Sequence, residues 1–325
     1  PYWQVFRAAA PALMAGNTML LKHAPNTTRC ALEIERLFVD AGVSSGVFGT
    51  LLMSNEAVDE LVSDARIAGV TLTGSERAGI AVATAAGGSL KKCVLELGGS
   101  DAFVVLADAD VGVAAKTAVT ARFQNNGQSC IAAKRFIVAD AVYDEFLSRF
   151  VQLAAAQRIG NPMDEAVALG PCARGDLRVT LHHQVSATLQ RGATLALGGR
   201  SVEGTGYFYE PTIVSDVVPG MPMFDEEVFG PAAAVVRAND AKHAIELSNA
   251  SSYGLGFSIW TRDTAAAERF AAHVEAGAVF INGMVASDPR LPFGGVKKSG
   301  YGRELSAFGV HEFTNVQTVW LGPPS

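Results

Sequence analysis

Cysteine is scarce in this sequence, and its spacing does not indicate a disulfide framework or a zinc site. The four cysteines, at positions 30, 93, 130 and 172, lie far apart, and none belongs to a C-x-x-C motif. This usage fits a reducing compartment better than an oxidising one. We therefore expect a cytoplasmic protein that binds no metal.

Strong charge and long apolar runs are also missing. The net charge is only −6, which gives no electrostatic reason to expect a nucleic acid as partner. No apolar run reaches the roughly 20 residues that a bilayer requires, so we expect no membrane association. Hydrophobic residues make up 49% and charged residues 18% of 325 residues, which is typical of a globular protein of about two domains.

Short apolar runs alternate with amphipathic stretches along most of the chain. From residue 17 onward, strand-like segments such as NTMLLKHA alternate with helix-like ones such as RCALEIERLFVDAG. A second series begins with DAFVVLAD and continues through AAKRFIVAD. This alternation predicts an α/β fold, with a parallel sheet covered by helices, and a first unit over residues 1–97.

Cys130 differs from the other cysteines because it lies in a polar, glycine-containing loop, FQNNGQSCIAAKRF. Cys30, Cys93 and Cys172 lie in or beside ordinary structural segments, where a cysteine acts as a small core residue. A thiol in a polar loop can meet a substrate. Only a few per cent of an unactivated thiol is ionised near neutral pH, so a catalytic thiol needs a base or backbone dipoles.

Glu96 interrupts an apolar, strand-like run that is followed at once by Gly98 and Gly99. A carboxylate in such a run commonly marks an exposed strand position. The two glycines favour a second interpretation, because they let a ligand or another backbone approach closely. A half-buried glutamate here would have a raised pKa and could activate water.

Two other segments are candidates for binding phosphate or ribose. Gly74 and Ser75 open a helix whose N–H groups could hold a phosphate, although a serine that only caps the helix is the commoner case. Lys22 follows a strand at its carboxyl end, where parallel sheets bind ligands, and a solvated lysine is equally plausible there. The G-x-G-x-x-G fingerprint is absent.

Together these segments resemble the aldehyde dehydrogenase superfamily along the whole chain. The resemblance rests on LELGGSD, FQNNGQSC and EEVFGP, in the family's order and with its spacing from Glu96 to Cys130. It implies a Rossmann-type cofactor domain, incomplete here, over residues 1–97 and an α/β catalytic domain over 98–293. A C-terminal helix and an oligomerisation strand would occupy 294–325.

The resemblance also implies a role for each candidate residue. Cys130 would attack the aldehyde, hydride would pass from the thiohemiacetal to NAD or NADP, and Glu96 would activate the water that hydrolyses the thioester. Glu304 matches a position proposed as a proton relay, with a surface helix carboxylate as the alternative. The remaining roles are adenosine ribose for Lys22, pyrophosphate for Gly74 and Ser75, nicotinamide and its ribose for Glu227 and Phe229, and the aldehyde pocket for Phe293.

The segments LLKHAPN, CIAAKRF and FGGVKKSGYGRELSAFGVHEF are most similar to bacterial succinate-semialdehyde dehydrogenases. That similarity implies a substrate carboxylate, for which arginine is the usual partner. Arg7 lies where those enzymes carry a substrate arginine, and Gln124 replaces a second one. Arg122 or Arg290 could substitute for it, or each could be an ordinary surface arginine. A broader aldehyde specificity is the alternative.

Cofactor choice and assembly are further implications of the resemblance. Many NAD-preferring members carry a glutamate three residues after the lysine, whereas this chain has Pro25. A 2′-phosphate would meet less repulsion there, and His23 could favour it, so both NAD and NADP stay open. The tail TNVQTVWLG resembles a family strand that pairs across subunits, which implies a homodimer or homotetramer.

Other classes of function remain as alternatives. A cysteine hydrolase or acyltransferase would need a partner histidine, and none of the six histidines lies in a triad-like motif. A coenzyme-A-acylating dehydrogenase would not use water, and Glu96 argues against it. A non-catalytic homologue would keep the fold without turnover.

The beginning of the sequence generates a first prediction. It lacks an initiating methionine and a leader, so we expect a piece of a longer polypeptide. The family's oxyanion-binding asparagine would belong to a motif that ends at Pro1, and losing one such donor typically costs about 10²–10³ in rate. We expect this chain alone to oxidise aldehydes weakly or not at all, and to fold poorly; an assay that gives normal family rates would contradict this.

Overall fold

The structure is a computed structural model that describes residues 1–323. It divides into two compact units. The first contains Pro1–Glu96, Ser287–Gly294 and the chain from Gly300 onward, and the second contains Leu97–Ala286 and Gly295–Ser299. The domain boundaries expected after residues 97 and 293 stay a prediction.

Strands and helices alternate along most of the described chain, as the sequence pattern predicts. The strands are β1 (Met19–Leu21), β2 (Phe48–Thr50), β3 (Gly69–Thr73), β4 (Lys92–Glu96), β5 (Ala102–Val105), β6 (Arg135–Ala139), β7 (Thr194–Leu197), β8 (Thr212–Ser215), β9 (Ala232–Ala238), β10 (Tyr253–Gly254), β11 (Gly256–Trp260), β12 (Ala278–Ile281), β13 (Val296–Lys297) and β14 (Gly300–Tyr301). The helices are α1 (Trp3–Met14), α2 (Thr28–Asp40), α3 (Val58–Ser63), α4 (Glu76–Gly88), α5 (Val111–Phe123), α6 (Tyr143–Ala155), α7 (Gly175–Gln190), α8 (Pro222–Asp225), α9 (Ala241–Asn249), α10 (Thr264–Ala271) and α11 (Ser306–Glu312).

The first unit contains two small sheets. Strands β1 and β2 pair in parallel, and a three-stranded sheet has the order β14-β4-β3. In that sheet β3 is parallel to β4, whereas β14 is antiparallel to it. Glu96 is the last residue of β4, so the central strand of this sheet carries it.

The second unit is built on a seven-stranded sheet of order β12-β11-β5-β6-β9-β8-β7. All neighbouring pairs are parallel except β7 with β8. Alternate residues of one strand face opposite cores: Ala102 and Val104 of β5 belong to one apolar cluster, and Phe103 and Val105 belong to another. Because both faces are covered, the strands read as continuous apolar runs. The predicted α/β fold is confirmed.

The loop that carries Cys130 depends on left-handed backbone directly after α5. Asn125, Asn126 and Gly127 have φ values of 53°, 56° and 69°. Asparagine and glycine adopt this region most readily. A Cβ on Gly127 would lie 2.2 Å from the carbonyl oxygen of Gly230, so only glycine fits there. The polar run that marked the loop in the sequence therefore also sets its shape.

The tail from residue 314 to residue 323 contains no helix or strand. Its large apolar side chains are exposed, including Val316 at 89% and Trp320 at 85%. The chain thus gives this segment no strand partner within residues 1–323, as expected. Its pairing across subunits stays a prediction.

The aromatic cluster under α6 generates a stability prediction. Phe150 is fully buried, with its ring centre 4.7 Å from that of Phe136 and 5.5 Å from that of Phe146. Because Phe150→Ala would leave a cavity, we expect a loss of about 3–5 kcal/mol in the free energy of unfolding, measured by chemical denaturation. Leu153→Ala on the same helix is the control, since Leu153 is 37% exposed. Equal losses for the two variants would contradict the prediction.

Candidate active site

Glu96 is buried at the end of β4, with a strand on each side. Its register partners are Thr73 on β3 and Gly300 on β14, and the residue is 1% exposed. The interpretation as an exposed strand position is therefore wrong. Burial raises the pKa of Glu96 from 4.5 to about 9, in the direction that the sequence analysis expected.

A second buried carboxyl, that of Glu304, influences Glu96 electrostatically. Its charge adds to the effect of burial in raising the pKa of Glu96, whereas Arg7 and Arg303 oppose the rise. Neither carboxyl oxygen of Glu96 has a hydrogen-bond partner among residues 1–323. The surface-helix alternative for Glu304 is wrong, because Glu304 is 0% exposed and precedes α11.

Arg7 connects Glu304 to Phe293 within the first unit. Its Nε atom forms an ion pair with Oε2 of Glu304 at 2.7 Å, and its guanidinium carbon lies 4.3 Å from the centre of the Phe293 ring. Arg7 is only 4% exposed. Its Nη2 atom is buried without a hydrogen-bond partner in the described part of the chain. The structure thus brings together Arg7 and Phe293, two residues expected in the aldehyde pocket.

The other candidate arginines lie in different surroundings. Arg290 has a side chain that is 85% exposed and pairs with Asp288 at 2.6 Å. Arg122 is fully buried in the second unit and donates hydrogen bonds to the carbonyl oxygens of Gly127 at 2.6 Å and Ala133 at 2.8 Å. Arg122 therefore stabilises the loop around Cys130. Because this side chain is buried, the alternative that Arg122 is an ordinary surface arginine is wrong.

A cavity of about 260 Å³ lies at the carboxyl ends of β1 and β2. His23 and Pro25 line it after β1, and residues 51–54 line it after β2. No acidic side chain belongs to its described lining. Lys22 follows β1 directly, and its ammonium group donates to the side-chain oxygen of Asn55. The strand end and the basic side chain fit a site for the adenosine part of a dinucleotide.

The segment Gly74-Ser75 precedes α4, as predicted. The hydroxyl of Ser75 accepts from the N–H of Ala78 at 3.3 Å, so this serine caps the helix. The N–H of Gly74 donates to the carbonyl oxygen of Glu96 at 3.0 Å. The commoner role of a capping serine is therefore present, and the expected pyrophosphate contact stays a prediction.

In the second unit, Lys134 holds the segment that carries Cys130. Its Nζ atom donates to the carbonyl oxygens of Ser129 at 2.9 Å and Cys130 at 2.6 Å. Lys134 is 0% exposed. Burial lowers the pKa of Lys134, and the charges of Glu227 and Asp101 oppose that effect. A buried lysine therefore binds the backbone of the segment that contains Cys130.

Glu227 lies in the same polar cluster as Lys134 and Cys130. Its Oε1 atom accepts from the N–H of Gly99 at 2.9 Å and lies 3.8 Å from Nζ of Lys134. A Cβ on Gly98 would lie 2.5 Å from Oε2 of Glu227, and one on Gly99 would lie 2.6 Å from the carbonyl oxygen of Cys130. The two glycines thus permit the close approach that their pattern predicted. Phe229 follows two residues later and is half-buried.

Sequence reasoning missed the structural roles of Lys134 and Asp101. Burial raises the pKa of Asp101 to about 7, and its carboxylate accepts from the N–H of Gly256 at 3.0 Å. Both residues stand at the start of strand-like segments and read as solvated ends of those strands. The only available signal was charge directly beside apolar runs, in SDAFVV and AAKRFIV.

Residues 1–323 contain no group of three or more histidine, cysteine, aspartate or glutamate side chains arranged to hold a metal ion. None of the helices in that range combines the length and apolar character needed to span a bilayer.

The chain belongs to the aldehyde dehydrogenase family, whose model matches residues 1–319. This match accounts for the fold and for the shared order of the glutamate, cysteine and EEVFGP segments. The resemblance found in the sequence is therefore confirmed.

Similar proteins include several named as succinate-semialdehyde dehydrogenases. The chain is 56% identical over 320 residues to succinate semialdehyde dehydrogenase [NAD(P)+] Sad of Escherichia coli, covering 98% of this chain and 69% of that protein. It is 51% identical to succinate-semialdehyde dehydrogenase [NADP(+)] 1 of Mycobacterium tuberculosis, covering 99% of this chain and 70% of that protein. The structure of succinic semialdehyde dehydrogenase from Streptococcus pyogenes in complex with NADP+ has a TM-score of 0.97 at 39% identity, covering 99% of this chain and 71% of that one.

The raised pKa of Glu96 generates a prediction about stability. Between about pH 5 and pH 9 the unfolded chain has lost this proton while the folded chain retains it, so the free energy of unfolding should fall as pH rises. One proton contributes a slope of at most about 1.4 kcal/mol per pH unit. Glu96→Gln removes this titration, and its stability relative to wild type should increase with pH in denaturation experiments.

The matched control is Glu33→Gln on α2, because Glu33 is an exposed carboxylate. Its stability relative to wild type should not increase with pH. Parallel pH profiles for wild type and Glu96→Gln would contradict the prediction.

Proposed function

We propose that this chain contributes the catalytic residues for oxidising succinate semialdehyde to succinate with NAD or NADP. The observation that carries the proposal is Glu96, which stands at the family's glutamate position with a buried carboxyl and no hydrogen-bond partner among the described residues. A structural carboxylate would normally be satisfied when buried. An unsatisfied one is suited to taking a proton from water.

The roles of the two catalytic residues follow from their chemistry. Cys130 provides the sulfur that adds to the aldehyde carbon, and its backbone N–H would donate to the resulting oxyanion. Glu96 takes a proton from the water that attacks the acyl carbon, and the sulfur of Cys130 then leaves. Because burial raises the pKa of Glu96 to about 9, its ability to act as a base increases towards alkaline pH.

NAD and NADP supply the hydride acceptor when bound. The cavity after β1 and β2 fits their adenosine part, with Lys22 beside it and His23 in its wall. Pro25 leaves this cavity without the carboxylate that would repel a 2′-phosphate, which supports acceptance of NADP. Gly74 and Ser75 are the proposed pyrophosphate contacts, and Glu227 and Phe229 are the proposed contacts for the nicotinamide ribose and ring.

Arg7 is the proposed partner of the substrate carboxylate. Its Nε atom is already paired with Glu304, whereas its buried Nη2 atom lacks a hydrogen-bond partner within residues 1–323. A carboxylate oxygen would satisfy this donor. Phe293 packs on the guanidinium and would provide the apolar wall of the same pocket. Arg290 remains a weaker candidate, because its side chain is exposed and bound to Asp288.

We also propose that the protein forms a homodimer or homotetramer. The support is the exposed apolar tail, in which Val316, Trp320 and Leu321 are each more than four-fifths exposed. Pairing of this segment with a second copy would remove that apolar surface from water.

The test compares kcat/KM for succinate semialdehyde and butanal in the full-length protein. We expect a clear preference for the charged substrate, and Arg7→Met should reduce kcat/KM for succinate semialdehyde by about 30–100-fold, as expected for losing a charge-assisted hydrogen bond. The effect on butanal should be much smaller. Arg290→Met tests the competing assignment in the same assay.

Arg36→Met is the control, because Arg36 is an exposed residue of α2 that pairs with Glu33 and Asp40. Equal losses for both substrates in Arg7→Met would show that this arginine only maintains the structure. Equal kcat/KM values for the two aldehydes in the wild type would favour the broad-specificity alternative.

A further inference from the structure

The ammonium group of Lys134 contacts two parts of the second unit that have different proposed roles. One is the segment with the nucleophile Cys130, and the other is Glu227 of the ribose site. On one side, Nζ donates to the carbonyl oxygens of Ser129 and Cys130, at 2.9 and 2.6 Å. On the other side, Nζ lies 3.8 Å from Oε1 of Glu227. The same oxygen of Glu227 is fixed by the N–H of Gly99 at 2.9 Å.

A buried ammonium is a costly way to satisfy two carbonyl oxygens. Transfer of a charged group out of water costs several kcal/mol even in real proteins, and Lys134 is 0% exposed. A neutral amide side chain could donate the same two hydrogen bonds without that cost. The positive charge therefore has a use that the hydrogen bonds alone do not explain.

The charged groups around Lys134 indicate what that use is. Glu227, Asp101 and Cys130 all favour its protonated form, whereas burial and Arg122 oppose it. The backbone N–H of Lys134 also donates to the carbonyl oxygen of Asp101 at 3.0 Å, which fixes the start of its strand. The ammonium thus interacts with both the Cys130 segment and the carboxylate of Glu227.

We propose that Lys134 is a positioning residue whose charge couples the Cys130 thiolate to occupation of the ribose site at Glu227. This inference rests on the proposed function for the roles of Cys130 and Glu227. Ribose hydroxyl groups that donate to Glu227 weaken the attraction of this carboxylate for Lys134. The ammonium then interacts more strongly with Cys130, and a negative charge on its sulfur becomes more favourable.

The test measures alkylation of Cys130 by iodoacetamide as a function of pH, in the full-length protein with and without NADP, with the modified cysteine identified by mass spectrometry. Lys134→Gln keeps two hydrogen-bond donors and loses the charge. We expect its alkylation midpoint to move upward by about one pH unit, and the displacement of the midpoint by NADP to disappear. Lys134→Arg keeps the charge and should retain a midpoint near that of wild type.

The control is Lys116→Gln on α5, because Lys116 is exposed. Its midpoint and its response to NADP should match those of wild type. A wild-type profile in Lys134→Gln would overturn the proposal. It would show that hydrogen bonds from residue 134 are sufficient and that its positive charge has no effect on Cys130. If thermal unfolding shows that Lys134→Gln does not fold, Lys134→Arg decides: a wild-type midpoint supports the proposal, and a raised one overturns it.

Alkylation does not require turnover. A negative result in this experiment can therefore be distinguished from a negative result in the aldehyde assay. If the protein oxidises no aldehyde but Lys134→Gln shows the expected shift of the midpoint, the electrostatic coupling is supported and the proposed function is contradicted. If the protein oxidises succinate semialdehyde but Lys134→Gln shows no shift of the midpoint, the proposed function is supported and the electrostatic coupling is contradicted.

Discussion

An ionisable side chain that is removed from water needs compensating partners, and both units contain several such side chains at their candidate sites. In the first unit, Glu96 and Glu304 are buried with a single arginine, Arg7, paired to one of them. Burial raises the pKa values of both acids, and the charge of Glu304 raises that of Glu96 further. Arg7 opposes the rise at both acids, and Arg303 opposes it at Glu96. The raised pKa of Glu96 therefore results from burial beside a second carboxyl group.

In the second unit, buried cations are compensated by backbone carbonyl oxygens. Arg122, Lys134 and Arg135 are all buried, and each donates to backbone carbonyl oxygens. Arg135 alone reaches the carbonyls of Ser100, Leu247 and Ser248, at 2.7–2.9 Å. These cations fix chain segments that regular secondary structure leaves unpaired. Arg122 and Lys134 thus help to hold the loop with Cys130, through the carbonyl oxygens of Gly127, Ser129 and Cys130.

Local pattern was sufficient to predict much of this arrangement. The alternation of apolar runs and amphipathic stretches predicted the α/β fold, because strands and helices have different periods and a covered parallel sheet needs apolar residues on both faces. The polar run before Cys130 predicted a loop, and its asparagines and glycine are the residues that adopt left-handed backbone there. Gly98 and Gly99 predicted close approach, and the side chain of Glu227 lies against Gly98 while the carbonyl oxygen of Cys130 lies against Gly99.

The pairings between distant parts of the chain could not be predicted from the sequence alone. Arg7 and Glu304 are separated by almost the whole chain, and no local pattern indicates that their side chains meet. Lys134 illustrates a different difficulty, because its contacts to Ser129 and Cys130 are local but its burial is set by strands from elsewhere in the sheet. A lysine beside an apolar strand looks the same in the sequence whether it is solvated or enclosed.

Under the proposed function, Arg7 would serve two chemical demands. Its Nε atom compensates the buried Glu304, and its Nη2 atom is left without a hydrogen-bond partner among the described residues. An unsatisfied buried donor costs about 1–3 kcal/mol, and a ligand carboxylate can recover that energy on binding. A neutral aldehyde of similar size cannot satisfy the same donor. Selectivity for a charged substrate would then arise from a cost already present in the folded chain, with the ion pair to Glu304 and the Phe293 ring holding the guanidinium in place.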